Sequence, residues 1–512
     1  KNINYLAIDF NCAIHGCVKK VEPKYWNLKQ KDIEKQIIKQ VIIYMDYLIT
    51  DSNPKDGIGI FVDGPVHLGK IKQQRERRFK KSIEQKQLND IYKKHNISNE
   101  NIPFDTNAIT PGTKFMKLLC KNVKQHIINK YSSLQVEFSG DDIYGEGEHK
   151  CFQWISSINN IHNKSVCIYG LDADLVMLSL LNSYKVNKIY LQREVVHFGK
   201  IIIDEYTNME QLLYFNISEF SKYITKEYNI SIDTYVALCF LMGNDFVPHH
   251  PGLDINKDGI ELVINIYKKG IHKYGKLIDN GNLNWNILLY IFYILSKQEQ
   301  YLLQQKEDYI KYMKQKLLYK HYDNDFDKHM EYYQRKTILD EPLFNISNNG
   351  AYKQDYNQYL LENDYNHEYI TELYLGSIKW TFDYYFSNTK YSSYKNISSI
   401  FHYIYDYAPL FYNTSKILNR WIKSNIDINQ KLSFVNNNDG DINTLEQRLI
   451  VLPKSSHNLI HEYNNNYIQE HIGFLYGVPI EHLNMFKTYG WMSTPKLPPI
   501  NLDIIREFIK NN

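Results

Sequence analysis

The chain has no Cys-X-X-Cys pair, although it carries six cysteines, and all six (Cys12, Cys17, Cys120, Cys151, Cys167, Cys239) fall in its first half. That spacing favours neither a zinc ribbon nor a disulfide framework, and small, buried, reduced thiols are the simplest reading. Strong charge of either sign is missing too, the formal net charge being +3. A hold on nucleic acid must therefore come from a local patch and not from the global field. No uncharged apolar run approaches membrane length, and the opening residues lack the basic-then-apolar pattern of a signal peptide. The expectation is a soluble intracellular protein, neither secreted nor membrane-bound, with nucleus and cytoplasm not distinguished. Internal repeats are absent as well. The chain is nonetheless long, with 512 residues of which 43% are hydrophobic. That is enough for a sizeable core and, on length alone, about three domains.

What is present is a set of acids, each at the end of an apolar run and inside or beside a short glycine-bearing motif. They are Asp9 in YLAIDFN, Asp63 in IGIFVDGP, Glu146 and Glu148 in YGEGEHK, Asp172 and Asp174 in YGLDADL, and Asp245 in LMGNDF. An acid at the end of a buried strand stands where the chain leaves the sheet. Several such acids brought together would repel one another and hold raised pKa values unless hard cations lay between them. Oxygen-only ligands without a His or Cys cluster favour Mg²⁺ or Mn²⁺ over zinc. Two such ions about 3.5–4 Å apart would clamp a phosphodiester for in-line hydrolysis. The pattern points to a nuclease.

Strand-like runs at 5–8, 58–62, 136–139, 166–169 and, more weakly, 189–191 alternate with helical patterns at 30–47, 70–95, 115–131, 148–159 and 175–182. This alternation predicts an α/β fold with a mostly parallel sheet flanked by helices. Such sheets bind ligands at the carboxyl ends of their strands, where the acids stand. The run Thr110-Pro111-Gly112-Thr113 predicts a helix cap with proline at the first helical position. Beyond about Gly270 the texture changes to long Tyr- and Leu-rich helices, giving a largely helical C-terminal region. The expected division is 1–270, 271–367 with an Asn-rich linker near 345–366, and 368–512.

A basic run, Lys70-Ile71-Lys72-Gln73-Gln74-Arg75-Glu76-Arg77-Arg78-Phe79-Lys80-Lys81, begins seven residues after Asp63. Helical spacing places Lys70, Gln74, Arg77, Arg78 and Lys81 on roughly one face. Guanidiniums, an ammonium and an amide donor suit a terminal phosphate. On charge pattern alone, a solvated basic face is the ordinary explanation.

Taken in order, the motifs YLAIDFNCAIHGC, FVDGPVHLGKIKQQRERRF, ITPGTKFM, SGDDIYGEGEHK, YGLDADLVML and LMGNDFVPHHPGLDI resemble the XRN family of 5′→3′ exoribonucleases across roughly residues 5–270. The resemblance continues more weakly in EYYQRK, LGSIKWTFDYY, YIYDYAP and LEQRLIVLPKSSHNL. It implies a PIN-like, 5′-nuclease-type domain in a compact form holding the conserved core regions. By that resemblance the seven acids would hold Mg²⁺ (or Mn²⁺) as a pair of ions. Lys70, Gln74, Arg77 and Arg78 would form the pocket for a substrate 5′ phosphate. His15 would stack on the terminal base, with Trp380 as candidate for its other side. The implied partner is single-stranded RNA with a 5′ monophosphate, acted on by a monomer. There are two departures from the family pattern. Ser399-Ile400-Phe401 stands where a tryptophan-rich stretch is expected, and the sequence opens at Lys1 without the family's Met-Gly-Ile/Val-Pro segment, which puts processive activity in question.

Each assignment has a duller counterpart. An isolated strand-end aspartate is ordinarily a helix cap, a lone His a bonded core residue, and Trp380 shares a helical face with Tyr374, Ile378 and Tyr384. Asn11 and Asn244 are read either as orienting carboxylates or as simple turn residues. Two rival functions stand beside the exoribonuclease. One is a structure-specific 5′ flap endonuclease on DNA, against which PHHPGLDINKDGIELV lacks the second hairpin glycine at Asp254. The other is an idle RNA-binding scaffold, which would have lost some of the acids.

Overall fold

The computed structural model describes residues 2–21, 28–97, 104–197, 200–204, 208–255, 258–339, 346, 350, 352–361, 366–391, 396–477, 480–481 and 486–511. The first half alternates strand and helix: β1 (Tyr5–Asp9), α1 (Phe10–Val21), α2 (Gln30–Ser52), β2 (Gly57–Phe61), α3 (Leu68–Lys94), α4 (Lys114–Lys130), β3 (Gln135–Ser139), α5 (Gly147–Ser157), β4 (Ser165–Tyr169), α6 (Ala173–Asn182) and β5 (Lys188–Glu194). A short hairpin, β6 (Val196–His197) and β7 (Lys200–Ile201), precedes β8 (Leu212–Asn216). The sheet order is β3-β2-β1-β4-β5-β8, parallel throughout except for the antiparallel β5–β8 pair.

Strands β1, β2 and β4 are buried along their whole length, as parallel strands covered on both faces must be. Alternate side chains go to opposite cores. Ala7, Phe61, Val166 and Ile168 face one cluster, and Leu6, Ile8, Ile58, Ile60 and Tyr169 face the other with α1, α2 and α4. After β1 the chain adds β2 and β3 on one side and then crosses to β4 on the other. The crevice at the carboxyl ends of β1 and β4 is therefore a topological switch point, where sheets of this type take ligands.

The helical half consists of α7 (Ile217–Tyr228), α8 (Ile232–Cys239), α9 (Gly259–Tyr274), α10 (Trp285–Leu318), α11 (Asp325–Gln334), α12 (Lys336–Leu339), α13 (Tyr352–Leu360), α14 (His367–Tyr385), α15 (Phe411–Lys423), α16 (Ile428–Lys431) and α17 (Thr444–Val451), with two further helices beyond. One apolar cluster runs from Tyr5 of β1 through α9 and α10 to Trp380, Trp421 and Val435. The lines expected near 270 and 368 thus pass through a shared core. Among the described residues, no helix is long and apolar enough to cross a membrane.

Three local expectations need correction. Helix α4 starts at Lys114, with the Thr113 side chain accepting from Met116 N, so Pro111 sits in the preceding turn and not at the first helical position. Within the expected Asn-rich linker, 352–360 is helical, with Tyr352 and Tyr356 buried and the Tyr356 hydroxyl bonded to Ala408 O at 2.7 Å. Much of the rest of that linker lies outside the described residues. Strand β8 was not anticipated; its half-buried residues carry little apolar alternation.

Candidate active site

The carboxyl ends of the strands open into a cavity of about 730 Å³, within the range of ligand-binding clefts. All the predicted site residues except Trp380 line it. Asp9 is the last residue of β1, Asp63 lies two residues past β2, and Glu146 and Glu148 bracket the start of α5. Asp172 stands at the N-cap position of α6 without a side-chain capping bond, and Asp174 sits in the first turn. Asp245 follows the short turn of helix at 240–242. Residues 236 positions apart in sequence are thus gathered by one sheet edge.

Gly147 shows why the chain takes this form locally. A Cβ there would lie 2.7 Å from Asp9 Oδ1 and 2.9 Å from Phe61 O, so only glycine lets the start of α5 close on β1 and β2. Its backbone N–H donates to Asp63 Oδ1 at 2.7 Å. Asn11 Nδ2 donates to the other Asp63 oxygen at 2.8 Å, and Asn11 Oδ1 accepts from Asp63 N at 3.3 Å. Asn11 therefore orients a carboxylate. Asn244 does not, since its Oδ1 accepts from Phe246 N and Val247 N at 2.9 and 2.8 Å, a turn role.

The acids are short of positive charge. Burial, then Asp63 and Asp172, holds Asp9 well above the usual carboxylate range. Burial, then Glu146, does the same to Glu148. Burial raises Asp63 despite the Gly147 N–H, and burial with Asp245 lifts Asp174 to about 6. Glu148 Oε2 is buried with no hydrogen-bond partner. Glu146, two residues away, behaves oppositely. Burial works against its charge, but Lys70 at 2.7 Å draws it down to about 2. These are the conditions under which carboxylates accept hard cations. The residues present fit a divalent ion: converging oxygen donors, raised pKa values and an unpartnered buried oxygen.

Lys70 is the chief surprise of the basic run. Its ammonium pairs with Glu146 and with Asp245 at 2.7 Å each, so it stands among the acids and not with the arginines. Gln73, which was not singled out from sequence, donates to Asp245 Oδ1 at 2.6 Å. Further along α3, Gln74 is buried and accepts from Gln447 Nε2 of α17 at 2.9 Å. Arg78 donates to Asn107 O and Ile109 O and to the Thr110 hydroxyl. Burial, then Arg77, lowers its pKa. Arg77 is exposed on the cavity wall. His15 also presents an exposed ring there, and partial enclosure, then Arg77 and Arg78, lowers it to about 4, leaving a neutral imidazole at pH 7.

Trp380 is placed elsewhere. It is 2% exposed, its Nε1 donates to Ser398 O at 2.9 Å, and its ring packs on His67, Phe246 and Tyr384. It borders a separate, smaller cavity, and a base has no open face of the indole to stack on. What α14 does bring to the acids is the pair that follows Trp380 on the same helix. Tyr384 donates to Glu146 Oε1 at 2.9 Å, and Tyr385 bonds to Asp174. The sequence reading missed both; their signal was the motif WTFDYY itself, read for its tryptophan. Lys150 was also missed. It is buried and donates to Val62 O at 2.8 Å and Gly140 O at 3.3 Å, tying the end of β2 to the loop before α5.

A parallel, helix-flanked sheet with an acid-lined cavity at its switch point is the arrangement of a PIN-like nuclease-type domain. Residues 1–195 match the family description "XRN 5'-3' exonuclease N-terminus", and residues 225–345 match "Xrn1 helical domain". The chain belongs to the XRN family. It is 30% identical over 305 residues to 5'-3' exoribonuclease 1 of Saccharomyces cerevisiae, covering 54% of this chain and 20% of that protein. Against 5'-3' exoribonuclease 1 of Homo sapiens it is 33% identical over 309 residues, covering 54% and 18%. Against 5'-3' exoribonuclease 2 of Debaryomyces hansenii it is 28% identical over 355 residues, covering 60% and 35%. The chain thus matches roughly a fifth to a third of the length of these relatives.

Proposed function

We propose that this chain is a 5′→3′ exoribonuclease that hydrolyses single-stranded, 5′-monophosphorylated RNA to nucleoside 5′-monophosphates, using a pair of Mg²⁺ or Mn²⁺ ions. The observation that carries the reading is the single cavity holding seven acids beside Arg77, Arg78 and His15. The names of the relatives support the same reaction. Held by Asp9, Asp63, Glu146, Glu148, Asp172, Asp174 and Asp245, the divalent ions would supply an activated water and positive charge at the departing 3′ oxygen.

The chain's own residues do the rest. Asn11 and the Gly147 N–H fix Asp63, and Tyr384 and Tyr385 fix Glu146 and Asp174, so the carboxylates meet substrate already oriented. Arg78, held by three protein oxygens, offers its charge and its remaining N–H donors to a terminal phosphate without further ordering. Arg77, exposed beside it, closes on the same group. The neutral His15 ring offers an unpaired base a stacking surface, which is tolerant of sequence. The test is digestion of 5′-phosphorylated RNA carrying a blocked 3′ end. Mononucleotides should appear from the 5′ end at an undiminished rate. Release of oligonucleotides, or preference for a DNA flap, would transfer the chain to the structure-specific 5′ nuclease reading.

A further inference from the structure

Helix α1 lines the main cavity from Asn11 through His15 to Lys20. At 1.5 Å per residue, Lys20 stands roughly 13 Å along the helix from Asn11, so the cavity has a far end beyond His15. Two carboxylates that the proposed chemistry does not use line it there. Glu194 ends β5, and β8 enters the sheet antiparallel with Leu212 opposite Glu194, which brings Glu210 to the same edge. Glu194 is 5% exposed and Glu210 4%. Glu194 Oε1 accepts from the Tyr44 hydroxyl and from that of Tyr169, the latter at 2.6 Å, while Glu210 Oε1 pairs with Lys20. The second oxygen of each, Glu194 Oε2 and Glu210 Oε2, is buried with no hydrogen-bond partner among the described residues. Among those residues Lys20 is the one cation paired with either acid; Lys19, exposed on the same wall, pairs with neither. A buried carboxylate oxygen without a partner is destabilising, so the pair is short of one positive charge and of two donors.

A second observation concerns the wall beside them. Ile201 and Ile203 line the same cavity and are 46% and 45% exposed, an unusual degree for isoleucine. Ile203 faces Glu210 in an antiparallel bridge, and the Tyr47 hydroxyl donates to Glu210 O at 2.7 Å, so the backbone that carries the acid is fixed. Unpartnered acceptors next to open apolar surface call for a ligand with hydrogen-bond donors at one end and hydrocarbon behind them.

We propose that Glu194 and Glu210 form a site for a guanidinium carried on an apolar stem, the chemistry of an arginine side chain. A guanidinium is planar and carries its donors in a rigid fork, so it serves two carboxylates at once, whereas an ammonium acts as a point charge. It is also the more weakly hydrated cation, which favours its transfer into a buried site. Its charge balances Glu194 as Lys20 balances Glu210, and its stem covers Ile201 and Ile203. None of the seven metal-site acids takes part. An occupant there shortens the space open to a nucleotide stacked on His15. That consequence rests on the exoribonuclease reading, whereas the binding itself does not.

The experiment titrates the full chain with n-butylguanidinium by calorimetry, in Mg²⁺ so that the seven acids are neutralised. The parent should bind one equivalent, and n-butylammonium should bind at least about fivefold more weakly because it does not bridge two carboxylates. Glu194→Gln and Glu210→Gln should each weaken binding by at least about tenfold, as loss of a charge-assisted hydrogen bond does. Lys20→Met removes the competing cation and should strengthen binding by about threefold or more, a gain that a purely structural role for the two acids does not produce. N-acetylarginine amide forms a second arm. A tighter hold on it than on n-butylguanidinium marks a peptide as the source of the group, the reverse marks a free guanidinium compound, and either supports the site. No binding by the parent in Mg²⁺, equal affinity for n-butylammonium, or unchanged affinity in both Gln variants overturns the proposal. If neither Gln variant folds, unchanged or weakened binding in Lys20→Met overturns it instead. Guanosine bound in place of n-butylguanidinium, and lost in the same variants, would make the far end a base subsite and also overturn it. A chain that binds n-butylguanidinium through Glu194 and Glu210 yet hydrolyses no RNA with any metal would fail the nuclease reading and leave this site standing.

Discussion

At the acid end of the cavity, Asp9 and Glu148 are buried, no lysine or arginine among the described residues forms an ion pair with either, and Glu148 keeps an unpartnered oxygen. At the basic end, Arg78 already has Asn107 O, Ile109 O and the Thr110 hydroxyl. One end is unsatisfied until a cation arrives; the other is satisfied before any phosphate does. The difference follows from the chemistry each end has to perform. Charge concentrated in a buried site is costly until it is neutralised, and that cost becomes affinity for metal. A guanidinium needs only to be held in place, because its five donors leave some for ligand after the protein has taken its share. Lys70 joins the two ends: it leaves the basic run to stand between Glu146 and Asp245.

The largest expected effect breaks the acid end outright. Asp172→Ala or Asp174→Ala should abolish hydrolysis in Mg²⁺ while RNA binding without metal stays largely intact. Retention of more than a few per cent of the parent rate by both variants would contradict the metal assignment. Smaller losses should come from the residues that orient the acids. Tyr384→Phe deletes one hydrogen bond to the charged Glu146 and leaves the Lys70 pair, so kcat should fall by about tenfold with KM nearly unchanged. An unchanged kcat would mean that Lys70 alone holds Glu146.

The smallest effect is on stability, and its sign separates two acids of the same cluster. The Asp174 carboxyl is raised to about 6 by burial and Asp245, above an unfolded value of about 3.9. The folded chain therefore holds that proton more tightly, and its contribution is present below about pH 4 and lost as pH rises through about 6. In metal-free protein, Asp174→Asn should raise Tm at pH 7.5 by ~2 °C or more and change it little near pH 4. Glu146 runs the other way. Lowered to about 2 by Lys70 against its burial, it contributes above the unfolded range and loses that contribution as pH falls towards 2. A variant Tm difference that does not depend on pH would show that Asp174 is ionised in the metal-free fold.

Much of the acid end was legible in the sequence because it is local. Asp9, Asp63, Asp172 and Asp174 each stand at or just past the end of a fully buried strand, and a parallel sheet places such ends on one edge, so these four follow from pattern and topology. What was not legible depends on partners far away in the chain. Gln74 meets Gln447 across 373 positions and Lys70 meets Asp245 across 175. No periodicity announces either pairing. Trp380 was misjudged because a helical pattern gives the face of a residue and not what covers it; α14 turns its tryptophan into the core and the next two tyrosines onto the acids. Strand β8 escaped notice because it joins an otherwise parallel sheet as an antiparallel edge strand that is only half-buried.

The central claim is that the two ends act separately, acids cutting and arginines selecting. Its most direct test is the ratio of cleavage rates on 5′-monophosphate and 5′-hydroxyl RNA, measured in Mg²⁺ for the parent and for Arg77→Ala/Arg78→Ala. Charge-assisted hydrogen bonds are worth roughly 1.5–3 kcal/mol each, so the ratio should shrink by at least about tenfold, while slow metal-dependent cleavage persists. A double variant that prefers the monophosphate end as strongly as the parent would contradict the account and leave Arg78 with only the structural role of holding the turn at 107–110.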